Sequence, residues 1–311
     1  MKNNTEEKMK NKKGLYGIDD KLDFIIDIYN RKRLPKVLML SGKKGIGKST
    51  LVTHFLNYIY DNTNYNLDKK EIDYNSIFNK QFLNNTMPEV IYIQGDDFKN
   101  IKIDDIRSLR SKLSKTSISD KERFIVLDDI EIFNLNSLNA LLKLIEEPSK
   151  KNNFILINNL TKPLIKTISS RSLEIKITVS NEVRKNIIES LINISNINVL
   201  IDYKTNDLSP GNFLIFNEIC NENDIDPNDN FITNLNLLLN LYKKEKNIKY
   251  INMVLFFVDY YFLYLINNKK QNIDRISEDK SYVIKNINNF ISYNLNQNSL
   301  INAINNKLIN G

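Results

Sequence analysis

The run Gly42-Lys43-Lys44-Gly45-Ile46-Gly47-Lys48-Ser49 constrains this chain more than any other feature of it. It matches the G-x-x-x-x-G-K-[ST] pattern in full, and each position of that pattern has a physical reason. Glycines let the backbone wrap closely around a phosphate with its N–H groups turned inward. Lys48 is placed to reach the β- and γ-phosphates of a nucleotide, and Ser49 to enter the shell of a Mg²⁺ ion. Lys43, Lys44, Ile46 and Thr50 complete the candidate phosphate-contact set. The flanks agree with this reading. Val37 to Leu40 is a short apolar run that predicts a buried strand ending at Ser41-Gly42, and Leu51 to Tyr60 carries helical spacing. A helix starting there directs its positive end at the anion. The competing reading is a glycine loop between strand and helix that holds no ligand.

Further apolar runs at Val90 to Ile93, Phe124 to Leu127 and Phe154 to Ile157 predict three more strands. Helical spacing lies between them, over Ile103 to Leu113 and Ser137 to Ile145, and before them at Leu22, Ile25, Ile26 and Ile28. Strands alternating with helices predict a parallel α/β sheet through about residue 178. After Ile177 the strand signals thin out. Val183 to Ile194 reads as a helix, and the remainder offers long apolar-periodic segments interrupted by the polar, acidic stretch Asn221 to Asn230. An all-helical second half in two pieces follows from that pattern.

A phosphate loop that binds Mg²⁺ is expected to face carboxylates at the end of another strand. Phe124-Ile125-Val126-Leu127-Asp128-Asp129-Ile130-Glu131 provides them, with Asp128 the candidate for the Mg²⁺ shell; a solvated acidic loop is the bland alternative.

Composition removes several other classes. The 311 residues include one cysteine, Cys220, and one histidine, His54. These counts exclude an internal disulfide, a cysteine-based zinc site and a His-rich metal site, and they argue against a Ser-His-Asp arrangement. A reducing cytoplasm is the expected setting. Lys+Arg exceed Asp+Glu by 44 to 37, for a net charge of +7. The abundance of Asn, Ile and Lys together follows from AT-rich codons, which accounts for that mild basic bias without DNA binding. The charged N-terminus has no apolar core of the secretory kind. The most apolar run, Ile251 to Ile266, is interrupted by Asn252 and Asp259 and predicts a buried bundle helix, not a membrane span.

Taken in order, several segments resemble the AAA+ clamp-loader family of bacterial DNA polymerase III. Leu127 to Pro148 is similar to that family's second nucleotide motif followed by its N-A-L-L-K-x-x-E-E-P segment, here Asn139 to Lys143 and Glu146-Glu147-Pro148. Ser170-Arg171-Ser172 resembles the family's Ser-Arg-Cys motif, Ile103-Asp104-Asp105-Ile106-Arg107 a segment preceding the acidic strand, and Leu208-Ser209-Pro210-Gly211-Asn212 the lid's S-P-G segment. The resemblance implies an α/β AAA+ core over residues 14–178, a helical lid over 179–220, and a linker with a helical collar over 221–311 that joins subunits in a ring. Residues 1–13 are expected to form a flexible basic arm. It further implies ATP or ADP with Mg²⁺ as ligand. The expected partners are the γ/τ and δ subunits, and through the assembly the sliding clamp and primer-template DNA. Arg171 is then a finger that reaches the ATP held by the neighbouring subunit.

The departures from the family pattern point the same way. Hydrolysing relatives carry a water-activating glutamate where this chain has Asp129, one methylene shorter. Asn158 maps to the polar sensor at the strand end, the S-P-G segment is followed by Asn212 where relatives often have arginine, and the four-cysteine zinc module is absent. The resemblance therefore implies a δ′-type subunit that binds nucleotide without efficient turnover. A γ/τ-like ATPase using Asp129 as base is the alternative. An unrelated P-loop enzyme leaves the EEP and Ser-Arg-Ser segments unexplained, and direct DNA binding through lysines is expected to be weak.

Overall fold

The computed structural model describes residues 14–95, 101, 103–114, 121–195, 197–245, 248–268 and 273–310. The basic arm expected over residues 1–13 lies outside them. The chain divides into two compact units, one formed by Met1–Asn196 with Ser209–Gly211 and the other by Ile197–Leu208 with Asn212–Gly311. The helix after residue 180 belongs to the first unit, and the polar stretch 221–230 lies inside the second.

The first unit runs α1 (Asp19–Asn30), β1 (Val37–Ser41), α2 (Lys48–Tyr60), α3 (Ile77–Leu83), β2 (Val90–Gln94), α4 (Ile103–Ser114) and β3 (Arg123–Asp128). It continues through α5 (Leu135–Glu146), β4 (Asn152–Asn158), α6 (Lys166–Ser169), β5 (Leu173–Lys176) and α7 (Asn181–Ser195). The five strands form one parallel sheet in the order β2-β3-β4-β1-β5. Both faces of the central strands are covered, which is why β1, β3 and β4 are buried along nearly all of their length and rich in apolar residues. Leu38, Leu40, Phe124 and Val126 pack with α1 and α2, whereas their alternates Val37, Met39, Ile125 and Leu127 pack with α4 and α5.

Register brings the functional strand ends together. Ser41 at the end of β1 pairs with Asn158 at the end of β4, and Gln94 at the end of β2 with Asp128 at the end of β3. The crevice outside the carboxyl ends of such strands is where open α/β sheets hold ligands.

The second unit is helical over α8 (Pro210–Glu222, whose first residues belong to the other unit), α9 (Phe231–Glu245), α10 (Ile248–Asn268), α11 (Ile273–Tyr293) and α12 (Gln297–Asn310). Each of α9 to α12 packs on the next, and α12 returns to α9. There Gln297 donates to Asn236 and Asn240 through Nε2. By length and composition alone, Tyr250–Asn267 could cross a membrane. In the fold, however, α10 lies between α9 and α11 and buries Val254, Phe257, Val258 and Phe262. Tyr261 stacks on Phe231 with ring centroids 4.0 Å apart, so the Tyr260-Tyr261-Phe262 run is bundle packing, as expected.

Candidate functional site

The phosphate loop leaves β1 at Ser41 and enters α2 at Lys48 through two glycines in the left-handed region, Gly45 with φ +84° and Gly47 with φ +99°. Other residues adopt those angles only under strain. Ile46 is buried between them and pins the loop to the core. Gly47 has no side chain to cap the first turn of α2, so the N–H groups there are left to another acceptor. The loop's outer side is clamped by the start of α8. Ser209 Oγ donates to the Lys44 carbonyl at 2.6 Å, and the Gly211 N–H donates to the Gly45 carbonyl at 2.8 Å. A Cβ at Gly211 would lie 2.8 Å from that same carbonyl oxygen, so the S-P-G segment needs its glycine for close approach.

Lys48 is almost fully buried, and its ammonium donates to the carbonyls of Gly42 at 2.6 Å and Lys43 at 2.8 Å. Burial lowers its pKa to about 8, against the opposing pull of Asp128, Glu131 and Asp129. Asp128 is also buried. Tyr92 donates its O–H to Oδ2 at 2.6 Å, and the Asp129 N–H donates to Oδ1 at 2.8 Å. Burial raises the Asp128 pKa, and these two hydrogen bonds partly offset the effect. Ser49, Thr50 and Asp128 line a cavity of about 310 Å³ that extends to Phe82, Tyr92 and Gln94.

Asp129 occupies the left-handed region at φ +55° and is fully engaged. Its Oδ1 accepts from Lys44 Nζ at 2.9 Å and from Asn159 Nδ2 at 2.6 Å, and its Oδ2 accepts from Lys44 at 3.2 Å. The loop lysine thus ties the phosphate loop to the residue at the base position. Glu131 is buried as well, accepting from Thr161 Oγ1 at 2.7 Å and from the Asn159 N–H at 3.1 Å, which fixes the end of β3 to the turn after β4.

The end of β4 carries two asparagines whose side chains point to different partners. Asn158 turns its amide oxygen to the Leu160 N–H, a local Asx turn, whereas Asn159 reaches Asp129 and, at 3.4 Å, Asp128. Asn159, Tyr92 and Glu131 are the site residues that the sequence reading missed. The signal for Tyr92 was its place in β2, alternating with Gln94 beside Asp128. The structure brings Gly42 to Thr50, Asp128 and Asp129 into one crevice.

Arg171 stands on a surface of the same unit, just after α6. Its Nη1 donates to the Thr167 carbonyl at 3.1 Å, and its Nη2 pairs with Glu146 Oε1 at 2.8 Å. That ion pair is more than a third exposed on both sides.

These residues fit a nucleotide phosphate with a divalent cation. The loop supplies left-handed glycines, a desolvated ammonium and uncapped helix N–H groups, and a serine and a carboxylate share one cavity wall. Among the described residues no cluster of three or more His, Cys, Asp or Glu is arranged to hold a metal ion. Mg²⁺ bound chiefly through phosphates and waters needs none.

The family model described as DNA polymerase III, delta subunit, matches residues 19–181, just over half of the chain. The chain is 26% identical over 150 residues to the DNA polymerase III subunit gamma of Buchnera aphidicola, covering 48% of this chain and 40% of that one. It is 31% identical over 90 residues to the DNA polymerase III subunit delta' of Pseudomonas aeruginosa, covering 29% and 27%. The matched stretch therefore spans less than half of either relative. Among solved structures, a DNA polymerase III gamma subunit-related protein from Thermotoga maritima aligns with a TM-score of 0.49 and 14% identity, over 91% of this chain and 96% of that one.

Proposed function

Since the chain belongs to the DNA polymerase III clamp-loader family and has its AAA+ fold, we propose that it is a δ′-type ring subunit. In this reading it binds nucleotide in its own crevice without efficient turnover and acts through Arg171 on the site of its neighbour. The observation that carries the reading is the state of Asp129. A general base must be free to take a proton from the attacking water. Here the carboxylate at that position is held by Lys44 and Asn159 inside the crevice. A γ/τ-like motor would need this carboxylate released and one methylene longer.

Within this proposal Gly42 to Thr50 cradle ATP or ADP, and Lys48 neutralises phosphate charge. Ser49 and Asp128 hold Mg²⁺, and Asn159 orients the two aspartates. Arg171 carries a permanent charge on a surface, as a group that serves another polypeptide must. Its partners are the γ/τ and δ subunits, with the sliding clamp and primer-template DNA engaged by the whole ring in the cytoplasm. Residues 221–311 provide ring contacts.

The test is a loader reconstituted from cognate motor subunits and δ, with this chain present, absent or carrying Arg171→Ala. The chain is expected to complete a loader with clamp- and DNA-stimulated ATP hydrolysis, and the variant to assemble yet lose most of the rate. A loader indifferent to the chain, or hydrolysis by the isolated chain that Lys48→Ala abolishes, would overturn the proposal.

A further inference from the structure

We propose that Glu146 is the positioning residue for Arg171, fixing the guanidinium in the orientation it presents to the neighbour's nucleotide. This inference rests on the trans role of Arg171 given above. It begins with where α5 stops. Leu138, Leu141 and Ile145 bury one face of that helix in the core, and Asn134 caps its start by accepting from the Ser137 N–H at 2.8 Å. Pro148 disfavours the helical conformation at Glu147, whose φ of −128° and ψ of 65° are non-helical, so the helix ends at Glu146. Glu146 is thereby fixed to a rigid element.

Local energetics do not account for a glutamate there. The last turn of a helix carries partial negative charge and favours a cation. A carboxylate at that end is repelled by its own helix unless a positive group is close, and Arg171 supplies one at 2.8 Å. The arginine is held from its other side too. It follows α6, which packs on α5 through the fully buried Ile168. Its Nη1 donates to the Thr167 carbonyl at 3.1 Å and to Ser170 Oγ at 3.4 Å. One backbone carbonyl, one side-chain hydroxyl and one carboxylate thus hold the planar fork from two sides. A single exposed ion pair contributes little to stability. An exposed guanidinium whose plane is already set costs less to order when an anion arrives from outside, and that gain appears in the rate.

The test uses the full loader with clamp and primed DNA, comparing Glu146→Ala, Glu146→Asp, Arg171→Ala and the double variant Glu146→Ala/Arg171→Ala by steady-state ATP hydrolysis. Each complex is first shown by size-exclusion chromatography to contain the complete subunit set. Glu146→Ala is expected to lower kcat about three- to tenfold with KM for ATP within about twofold of wild type. Glu146→Asp restores part of the loss, and Glu146→Ala changes nothing further when residue 171 is alanine. An equal loss in both arginine backgrounds marks a merely structural role and overturns the inference, as does an unchanged or raised rate in Glu146→Ala. If Glu146→Ala is silent while Arg171→Ala is severe, only the positioning role falls. A silent Arg171→Ala removes the trans reading and this inference together.

Discussion

The phosphate loop and the Arg171 rim hold cations in opposite ways. Lys48 is 3% exposed, folded onto carbonyls of its own loop, with its charge weakened by burial. Arg171 is exposed and is held at its edges by two acceptors and a carboxylate. The same contrast holds for the carboxylates. Asp129 is sealed inside the crevice by Lys44 and Asn159, whereas Glu146 stands at the surface beside the arginine. Under the proposed function, the occupied carboxylate of the crevice and the presented cation of the rim would be the two halves of a subunit that binds nucleotide for itself and assists turnover in a neighbour.

That contrast can be broken at several points. The largest effect is expected from Lys48→Ala on nucleotide binding by the isolated chain. Hydrogen bonds to charged groups are worth about 1.5–3 kcal/mol, so affinity for ATP should fall about ten- to hundredfold by isothermal titration calorimetry. Arg171→Ala should leave that affinity unchanged, and a comparable loss in both variants would erase the distinction between crevice and rim.

Next is pH. In the proposed role Lys48 would bind phosphate as an ammonium, and its pKa is lowered to about 8 by burial. The binding-competent fraction therefore falls as pH rises through that value, and apparent affinity should drop about tenfold between pH 7 and pH 9. A flat affinity profile would mean that the Lys48 ammonium is not the group that senses the ligand.

Smaller effects separate the two ion pairs. Lys44→Met leaves the buried Asp129 carboxylate with Asn159 but without its cation, and should cost about 1 kcal/mol in urea unfolding. Glu146→Ala removes a partner from an exposed pair and should cost under about 1 kcal/mol, with little change in melting temperature. If Glu146→Ala proved the more destabilising, the rim pair would be structural.

Much of this architecture is legible in the residues because its signals are local. Four strands, β1 to β4, contain apolar runs; in β1, β3 and β4 alternation is masked by burial on both faces, and the ends of β1 and β3 carry the loop and the aspartates. β5 was missed because Leu173-Glu174-Ile175-Lys176 is a short edge strand, largely exposed, with little apolar content to mark it. α3 was missed for a similar reason. It is seven residues long, and its capping and anchoring groups, Ser76 and Asn79, are polar. At the site, one-dimensional reading found residues that lie in a motif and lost the contacts that they make across the fold. Lys44 and Asp129 are far apart in sequence, as are Tyr92 and Asp128, and only the strand order brings them together. At the end of β4 the side chain of Asn158 enters a local Asx turn while that of Asn159 reaches the aspartates, a divergence that adjacent asparagines do not show in one dimension.

The most direct test of the central claim sets crevice against rim in one assay. Clamp- and DNA-stimulated ATP hydrolysis is measured for loaders carrying this chain as wild type, Lys48→Ala or Arg171→Ala, at equal assembly. The account predicts that Arg171→Ala removes most of the stimulated rate while Lys48→Ala retains the greater part of it. A loader crippled by Lys48→Ala and indifferent to Arg171→Ala would contradict it, and would make this chain a motor in its own right.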